Sequence, residues 1–308
     1  MALIVFLMAL VPPLLYAVTN HIDRNLLGIY FKKGGVGTLV IVSSLLSIIP
    51  IPIFLWIDPT VLSVGMGNMP ILALAGLLNV GLIWFYLRAL QEDEPTVVII
   101  FYSLVPVLGL VFGYFILDEV ISRMQFIAMA VIILGTALVS FEIGDENDLK
   151  LRKSTLVNMV VACTCWALEM TILKKVALTE NMWRSLFWEH SMMVVVGMSI
   201  FTFVPTYRHH FMIALRSNSK AILSLNATNE ILYIVGNVVG ALASMMAPVA
   251  LVLLAQPFQS IFVFVISVFL TKYFPKFSAR KTEVKHLVQK LLAISVTGMG
   301  TYVLLTAK

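Results

Sequence analysis

One segment of the chain carries a regular stripe of polar side chains. Asn226, Asn229, Glu230, Tyr233 and Asn237 follow each other as i, i+3, i+4, i+7 and i+11 inside an otherwise apolar run. At about 100° per residue, this spacing brings all five onto one helical face roughly 100° wide. Such a face could line a cavity for a polar molecule, with Glu230 binding a proton or cation. It could also be a polar seam, where amide and carboxyl groups bond to a neighbouring helix.

A second carboxyl group, that of Glu189, lies about one and a half turns into another apolar run and is followed by His190. Imidazole titrates near neutrality, so a relay of protons is conceivable there. Adjacent helical residues point about 100° apart, however, and the two side chains cannot face the same partner. Glu189 is therefore either a substrate or proton site, or part of the headgroup-level belt that Trp183 and Arg184 predict.

Glu169 precedes Lys174 and Lys175 in a further run. Its carboxyl group could face a cavity, pair with a cation from another helix, or reach the membrane surface together with the two lysines.

Other runs add amide and hydroxyl groups. Asn20 closes the first run beside Asp23 and Arg24, which suits either a solvated helix end or a cavity mouth. Pro257 removes a helical hydrogen bond next to Gln256 and Gln259 and could free a backbone carbonyl. The candidate substrate or proton-site residues are Glu230, Glu189, Asn229, Tyr233, Asn237, Glu169, Gln256, Asn20, Asn79 and Tyr86.

The composition requires a membrane around these groups. Of the 308 residues 60% are hydrophobic and only 12% are charged, and the mean hydropathy is +0.98. A helix needs about 20 apolar residues to cross the bilayer core. We predict an all-α membrane protein whose ten transmembrane helices span approximately residues 2–21, 36–57, 68–88, 96–117, 123–141, 154–176, 184–205, 223–245, 248–271 and 285–305.

The polar stretch 142–153 separates five apolar runs from five others. An odd number of crossings means that two such units joined in sequence lie inverted in the membrane. We therefore expect a first five-helix repeat at residues 1–141, a polar linker at 142–153 and a second repeat at 154–308.

Short matches in the same order support a duplication. Tyr16-Ala17 is followed eight residues after the tyrosine by Arg24, and Trp166-Ala167 is followed at the same distance by Lys174. The third and eighth runs both end in Ala-Leu before a proline-containing run. The fifth and tenth runs contain the related segments 134–139 (LGTALV) and 299–304 (MGTYVL).

These residues, and above all the segment 89–140, resemble the ten-helix, EamA-like branch of the drug/metabolite transporter superfamily. Relatives pair a proline-started helix with an acidic tight turn, and Leu117-Asp118-Glu119 stands where they often have Leu-Gly-Glu. The second copy departs at Leu270-Thr271-Lys272, which has no acidic residue. The resemblance implies a carrier of metabolites or drugs.

We expect a secondary transporter, coupled to protons or to exchange, that moves a small polar organic metabolite or drug by alternating access. An intramembrane enzyme or flippase acting on a lipid-linked group, a channel and a scaffold are the alternatives. No cofactor, metal or nucleic-acid partner is expected. The expected partners are a small-molecule substrate and the lipid bilayer, in a monomer or homodimer within the cytoplasmic membrane of a prokaryote.

Two features of the sequence predict opposite orientations of the chain in the membrane. Lys and Arg concentrate in the connections after the odd-numbered runs, and the positive-inside rule then leaves both termini outside. The family resemblance implies both termini inside.

Overall fold

A computed structural model describes residues 2–31, 35–119, 122–139, 141–143, 149–253, 255–273 and 284–306. Helices dominate. The α-helices are α1 (Ala2–Asn25), α2 (Gly35–Leu46), α3 (Ile51–Ile57), α4 (Met69–Glu92), α5 (Pro95–Val98), α6 (Leu104–Leu117), α7 (Arg123–Val139), α8 (Lys153–Ala177), α9 (Met182–Phe203), α10 (Pro205–Met246), α11 (Val249–Leu253), α12 (Phe258–Tyr273) and α13 (Val284–Thr306). A π-helical turn, Leu26–Tyr30, extends α1, and 3-10 turns cover Pro59–Leu62 and Ile99–Ser103.

The described helices are long and apolar enough for a multi-pass integral membrane protein. Seven qualify by length and composition: Ile4–Tyr30, Gly35–Ile57, Met69–Glu92, Pro95–Leu117, Lys153–Ala177, Met182–Phe203 and Lys220–Met246. Three shorter apolar helices, Phe126–Gly135, Phe258–Leu270 and Leu291–Val303, occupy the fifth, ninth and tenth predicted runs. Backbone groups in hydrocarbon must be bonded internally, and helices of this kind meet that requirement.

Three of the spans are interrupted, and each interruption precedes a proline by about one turn. α2 ends at Leu46, four residues before Pro50; the 3-10 turn contains Tyr102, four before Pro106; and α11 ends at Leu253, four before Pro257. Proline has no N–H for the carbonyl four residues earlier, and its ring clashes with that carbonyl. The bilayer tolerates such breaks where protein packs around them.

Two connections differ from the sequence expectation. Residues 206–222, which separate the seventh and eighth predicted runs, are helical and belong to α10 together with His209 and His210. The described part of the linker contains a small antiparallel hairpin, β1 (Phe141–Ile143) and β2 (Leu149–Leu151), within a fold that was expected to be purely helical. Residues 144–148 of that linker lie outside the described residues.

The helices pack in pairs drawn from the two parts of the chain. α4 lies against α8 and α9, α1 against α10 and α12, and α7 against α13. α7 and α13 approach closely because Gly135 faces Thr297 and Gly300 faces Ile132; a Cβ atom on either glycine would lie under 3 Å from its neighbour. This packing surrounds an interior that contains most of the buried polar residues.

Candidate functional site

A cavity of about 70 Å³ lies between helices from both parts of the chain. Its walls come from α1, α2, α4, α8, α10, α12 and the 3-10 turn Ile99–Ser103. The described lining residues include two carboxyl groups but no Lys or Arg. The lining residues are Tyr16, Thr19, Asn20, Asp23, Ser43, Leu82, Ile83, Tyr86, Leu87, Tyr102, Trp166, Asn229, Glu230, Tyr233 and Gln259.

Asp23 is the centre of a buried hydrogen-bond network at one side of this cavity. Asn229 Nδ2 donates to Asp23 Oδ1 at 2.8 Å, and the Tyr86 hydroxyl donates to Oδ2 at 3.2 Å. Asn20 Nδ2 donates to the same Tyr86 oxygen at 2.8 Å, and Gln259 Nε2 donates to Asn20 Oδ1 at 2.7 Å. The network therefore joins α1, α4, α10 and α12 through side chains alone.

Glu230 lies one residue beyond Asn229 and has different surroundings. Its Oε1 accepts a hydrogen bond from Ser47 Oγ at 3.2 Å. Ser47 follows the end of α2, where the break before Pro50 turns the chain inside the bundle. The Glu230 side chain is buried, with 3% of its surface exposed, yet it borders the cavity. A carboxyl group in that position can meet a ligand or a proton that enters the cavity.

Aromatic rings form another part of the cavity wall. The ring of Tyr16 stacks on that of Tyr233 with centroids 5.6 Å apart, and lies 5.9 Å from the ring of Trp166. Tyr102 meets Trp166 edge-on at 4.9 Å. Gly236 makes room for this arrangement, since a Cβ atom there would lie 2.5 Å from the Tyr16 ring. Aromatic faces beside carboxyl groups suit a ligand with an apolar or cationic part.

A second carboxyl cluster lies deeper along α10. Asn79 Nδ2 donates to Glu189 Oε1 at 2.6 Å, and the Tyr233 hydroxyl donates to Asn79 Oδ1 at 2.8 Å. The Glu169 carboxyl interacts directly with that of Glu189. The amide of Asn237 lies near Glu189, but its Nδ2 has no hydrogen-bond partner among the described residues. A small cavity of about 20 Å³ adjoins this cluster. It is lined by Glu169, Asn237, Gln256, Tyr16, Tyr233 and Trp166, among others.

The position of this cluster depends on a close approach of two helices. A Cβ atom on Gly76 would lie 2.6 Å from the backbone oxygen of Glu189 and 2.7 Å from Met192 Cβ. α4 and α9 thus nearly touch one turn before Asn79, which lets the short Asn79 side chain reach the Glu189 carboxyl.

At the ends of the bundle, basic side chains bind helix termini. Arg24 Nη1 donates to the backbone oxygen of Leu90 near the end of α4. Lys174 Nζ donates to the backbone oxygen of Ala247, just after α10, at 2.9 Å and lies 3.5 Å from Glu119 Oε1. Cations there compensate the negative end of a helix dipole.

The connection between α8 and α9 contains an exposed polar clasp. Glu180 accepts hydrogen bonds from Asn68, from the Gly65 backbone and from Arg184, and these hold the pKa of its carboxyl below the ordinary value. Asp58 likewise has a lowered pKa because Thr60 donates two hydrogen bonds to it. Trp183 and Arg184 lie in the first turn of α9, next to this clasp, whereas the Glu189 side chain is fully buried.

All ten candidate residues lie in the bundle interior. Five of them line the main cavity: Asn20, Tyr86, Asn229, Glu230 and Tyr233. The other five, Asn79, Glu169, Glu189, Asn237 and Gln256, lie in or beside the second cluster. Glu169 pairs with no cation in the described part of the chain and does not reach the surface with Lys174, because its carboxyl meets that of Glu189. Among the described residues, the hydrogen-bond partner of the Asn226 side chain is the Ile222 oxygen in its own helix.

Three residues are central to the geometry although they were not among the ten candidates. Asp23 was noted only as part of a helix end, yet its i+3 spacing from Asn20 was the signal that both share a face. Tyr16 was noted only for the repeat. Ser47 gave no signal, since its role depends on the break in α2 and on a helix 183 residues away.

The comparisons with known proteins give one similar fold and one family match. A solved structure described only as "Crystal structure of protein" aligns with 99% of this chain and 99% of its own, with a TM-score of 0.56 and 12% sequence identity. At that identity the likeness shows the fold alone. Among curated proteins, none matches the chain. Residues 3–141, however, match the model of the EamA-like transporter family, which confirms for this part of the chain the resemblance to the drug/metabolite transporter superfamily.

Proposed function

We propose that the protein is a secondary transporter that moves a small polar organic metabolite or drug across the membrane by alternating access. The observation that carries this proposal is the cavity with Asp23 and Glu230 in its wall, enclosed by helices from both parts of the chain. Transporters built from repeats bind their substrates at the interface between the repeats. Charged groups inside a membrane are costly and commonly serve a transport pathway.

The architecture that we propose is ten transmembrane helices arranged as two inverted five-helix repeats, with the linker between them. The contact of α7 with α13 supports it. In the aligned segments Gly135 corresponds to Gly300, and Ile132 to Thr297; Gly135 contacts Thr297 while Gly300 contacts Ile132. Such reciprocal contacts are characteristic of two-fold symmetry. The pairing also runs antiparallel, which requires an axis in the membrane plane.

Two further pairs support the same symmetry. The proposed equivalents Tyr16 and Trp166 touch each other, as expected for residues next to a two-fold axis. The proposed equivalents Arg24 and Lys174 each bind a carbonyl at the end of the corresponding helix, α4 or α10. The axis would then pass beside the cavity, so that rocking of the repeats could expose it to either side in turn.

In this proposal Glu230 changes protonation during the cycle, and Asp23 with its amide and hydroxyl partners contacts the substrate. Carboxyl and amide groups without a basic residue in the described lining favour a polar or cationic substrate. The family resemblance further suggests the cytoplasmic membrane of a prokaryote as its location. A monomer or homodimer would be the working unit.

The test is a ligand-stability screen on purified wild-type protein, Glu230→Gln and Asp23→Asn, at two pH values. The panel contains amino acids, polyamines, sugars, nucleotide sugars, phosphorylated metabolites and cationic drugs. A ligand that binds only the folded state raises the melting temperature. We expect one class to give a pH-dependent rise that Glu230→Gln makes pH-independent and Asp23→Asn removes. A ligand whose effect is equal in all three proteins would contradict this site, and a steady conductance in bilayers would indicate a channel.

A further inference from the structure

We propose that Glu169 and Glu189 form a second site, separate from the main cavity, that binds one proton shared between their carboxyl groups and responds to the cavity through Tyr233 and Asn79. The use of this proton in transport rests on the function proposed above. Its binding does not, and can be tested without a known substrate.

The pair is buried and lies outside the lining of the main cavity, and Glu169 borders the small cavity of about 20 Å³. The exposed fraction is 2% for Glu169 and 0% for Glu189, and neither residue lines the main cavity. Glu169 Oε1 and Glu189 Oε2 are buried and have no hydrogen-bond partner among the described residues. Two carboxylates in contact cannot both ionise cheaply, and one proton between them gives an O–H···O⁻ hydrogen bond.

No fixed cation in the described part of the chain faces the pair. The groups around it are amides and hydroxyls from the packed helices: Asn79 on α4, Asn237 and Tyr233 on α10, and Tyr16 on α1. Lys174, five residues beyond Glu169, binds the Ala247 oxygen and Glu119 instead. Arg184 binds Glu180 and Thr60 at the helix end. The negative charge of the pair must therefore be limited by a proton.

His190 is the one imidazole near the pair in the described structure. Its Nδ1 lies 2.9 Å from the Leu186 backbone oxygen and 3.9 Å from Glu189 Oε2. Nδ1–H donates to that oxygen, while Nε2 is buried with no partner among the described residues. The ring N–H of His190 is thereby directed at the backbone of its own helix, and Glu189 Oε2 lies beyond hydrogen-bond distance from it.

Tyr233 and Asn79 connect the pair to the substrate cavity. Tyr233 borders both cavities and stacks on Tyr16, while its hydroxyl donates to Asn79 Oδ1. An amide held at its oxygen presents its N–H groups in a fixed direction, here towards Glu189 Oε1. A ligand that displaces the Tyr233 ring would release the Asn79 amide and change the hydrogen bond on which the charged form of the pair depends. The proton then leaves to water or returns from it, and no other bond changes.

Infrared spectroscopy of the purified protein in lipid, with isotope-labelled glutamate and a pH titration, tests the pair directly. Wild-type protein is expected to give a glutamic-acid carbonyl band with the frequency of a strongly hydrogen-bonded acid. Glu169→Gln and Glu189→Gln are each expected to abolish that band, because each removes one of the two groups that share the proton. Glu92→Gln, at an exposed position, is the matched control and should retain it. Retention of the band in either pair variant overturns the proposal.

Two more variants keep the test independent of folding defects and of transport. Glu169→Asp retains both carboxyl groups but shortens one by a methylene, and is expected to lose the shared band too. Tyr233→Phe keeps the ring and is expected to shift the titration midpoint of the band by roughly half a pH unit or more; Tyr207→Phe is the control. An unmoved midpoint in Tyr233→Phe overturns the connection to the cavity. Absence of ligand stabilisation would contradict the transporter proposal alone, since it leaves the band intact.

Discussion

Asp118 ends α6 in the left-handed conformation, with a φ of 55°. Among the non-glycine residues that the structure describes, no other has a positive φ. The Glu119 N–H closes the turn on the Gly113 oxygen at 3.1 Å. L-residues pay about 1–2 kcal/mol in this conformation, asparagine and aspartate less than others. This explains why relatives with the Leu-Gly-Glu turn carry glycine where this chain has aspartate.

We predict that Asp118→Gly raises the stability of the purified protein by about 0.5–1 kcal/mol, since glycine relieves the strain but adds freedom to the unfolded chain. Asp118→Ala retains the strain and loses the polar side chain, so it should lower the apparent melting temperature. Thermal unfolding in detergent, followed by circular dichroism, measures both. A glycine variant less stable than the wild type would contradict the prediction.

The polar clasp around Glu180 predicts a pH dependence. Hydrogen bonds from Asn68, Gly65 and Arg184 lower the pKa of this carboxyl in the folded state. A depressed pKa contributes stability above the unfolded value, and that contribution disappears as the pH falls towards the folded value. The pKa of Asp58 is lowered as well, so its contribution to stability changes with pH in the same direction.

We therefore expect the wild-type melting temperature to fall on acidification below about pH 4–5, near the ordinary pKa of a glutamate. Glu180→Gln should have a lower melting temperature at neutral pH and a weaker fall in acid. Glu92→Gln, which removes an exposed carboxyl group at the other end of α4, serves as control. Equal pH profiles of Glu180→Gln and the wild type would show that the clasp contributes nothing.

The interior location of the ten candidate residues was predictable from the sequence, because a polar side chain in an apolar helix is costly to expose to lipid. Spacing also predicted that Asn229, Glu230, Tyr233 and Asn237 share a face. It could not predict that this face meets two separate carboxyl clusters. Glu169 illustrates the limit: its own run suggested a cationic partner, whereas packing brings it against Glu189. Contacts between distant helices depend on packing that no local pattern encodes.

Helix positions were predictable where the runs were apolar, and Pro257 indicated one of the places where a helix breaks. The long α10 was missed at its start because residues 206–222 are polar and resemble a loop by composition. A polar segment can also form a helix, so a search for apolar runs does not detect it. The pairings of helices followed only in part from the repeat, which anticipated that α7 and α13 are equivalent but not that they touch.

We predict that Gly76→Ala lowers stability by about 1–3 kcal/mol, because its Cβ would overlap the Glu189 backbone and force α4 away from α9. The separation should also weaken the bond from Asn79 to Glu189 and alter the infrared band of the carboxyl pair. Gly298→Ala, in α13, is the matched control: nothing lies within 4 Å of its Cβ, and alanine favours a helix by up to about 1 kcal/mol. Similar melting temperatures for both variants would disprove the close contact.

Across the whole molecule, the distribution of basic residues predicts the direction of insertion. The end of the bundle that carries Arg24, Arg88 and Arg152 is expected to face the cytoplasm. In a variant without Cys163 and Cys165, a cysteine introduced for Glu92 should react with an impermeant maleimide only after the cells are permeabilised. A cysteine introduced for Gly67, at the opposite end, should react in intact cells. The reverse pattern would establish the orientation that the family resemblance implies.

Contacts between the two parts of the chain exist at both ends of the bundle. At one end Thr155 donates to Asp93 at 2.5 Å, and at the other the Gly65 backbone donates to Glu180 at 2.9 Å. With both ends joined, a cavity of about 70 Å³ holds little more than a few water molecules. A metabolite could enter only if one of these contacts opens, and alternating access requires that they open in turn.

We predict that a disulfide between cysteines introduced for Asp93 and Thr155, or for Gly65 and Glu180, stops exchange of the ligand identified by the stability screen in reconstituted vesicles. Either link alone should suffice, because a carrier completes its cycle only by opening both ends. Reduction should restore exchange, and the four single-cysteine variants should keep it. If only one of the two links blocked movement, the other end would be a static contact. The protein would then conduct through a single gate, as a channel does, and the rocking of two repeats around the cavity would be wrong.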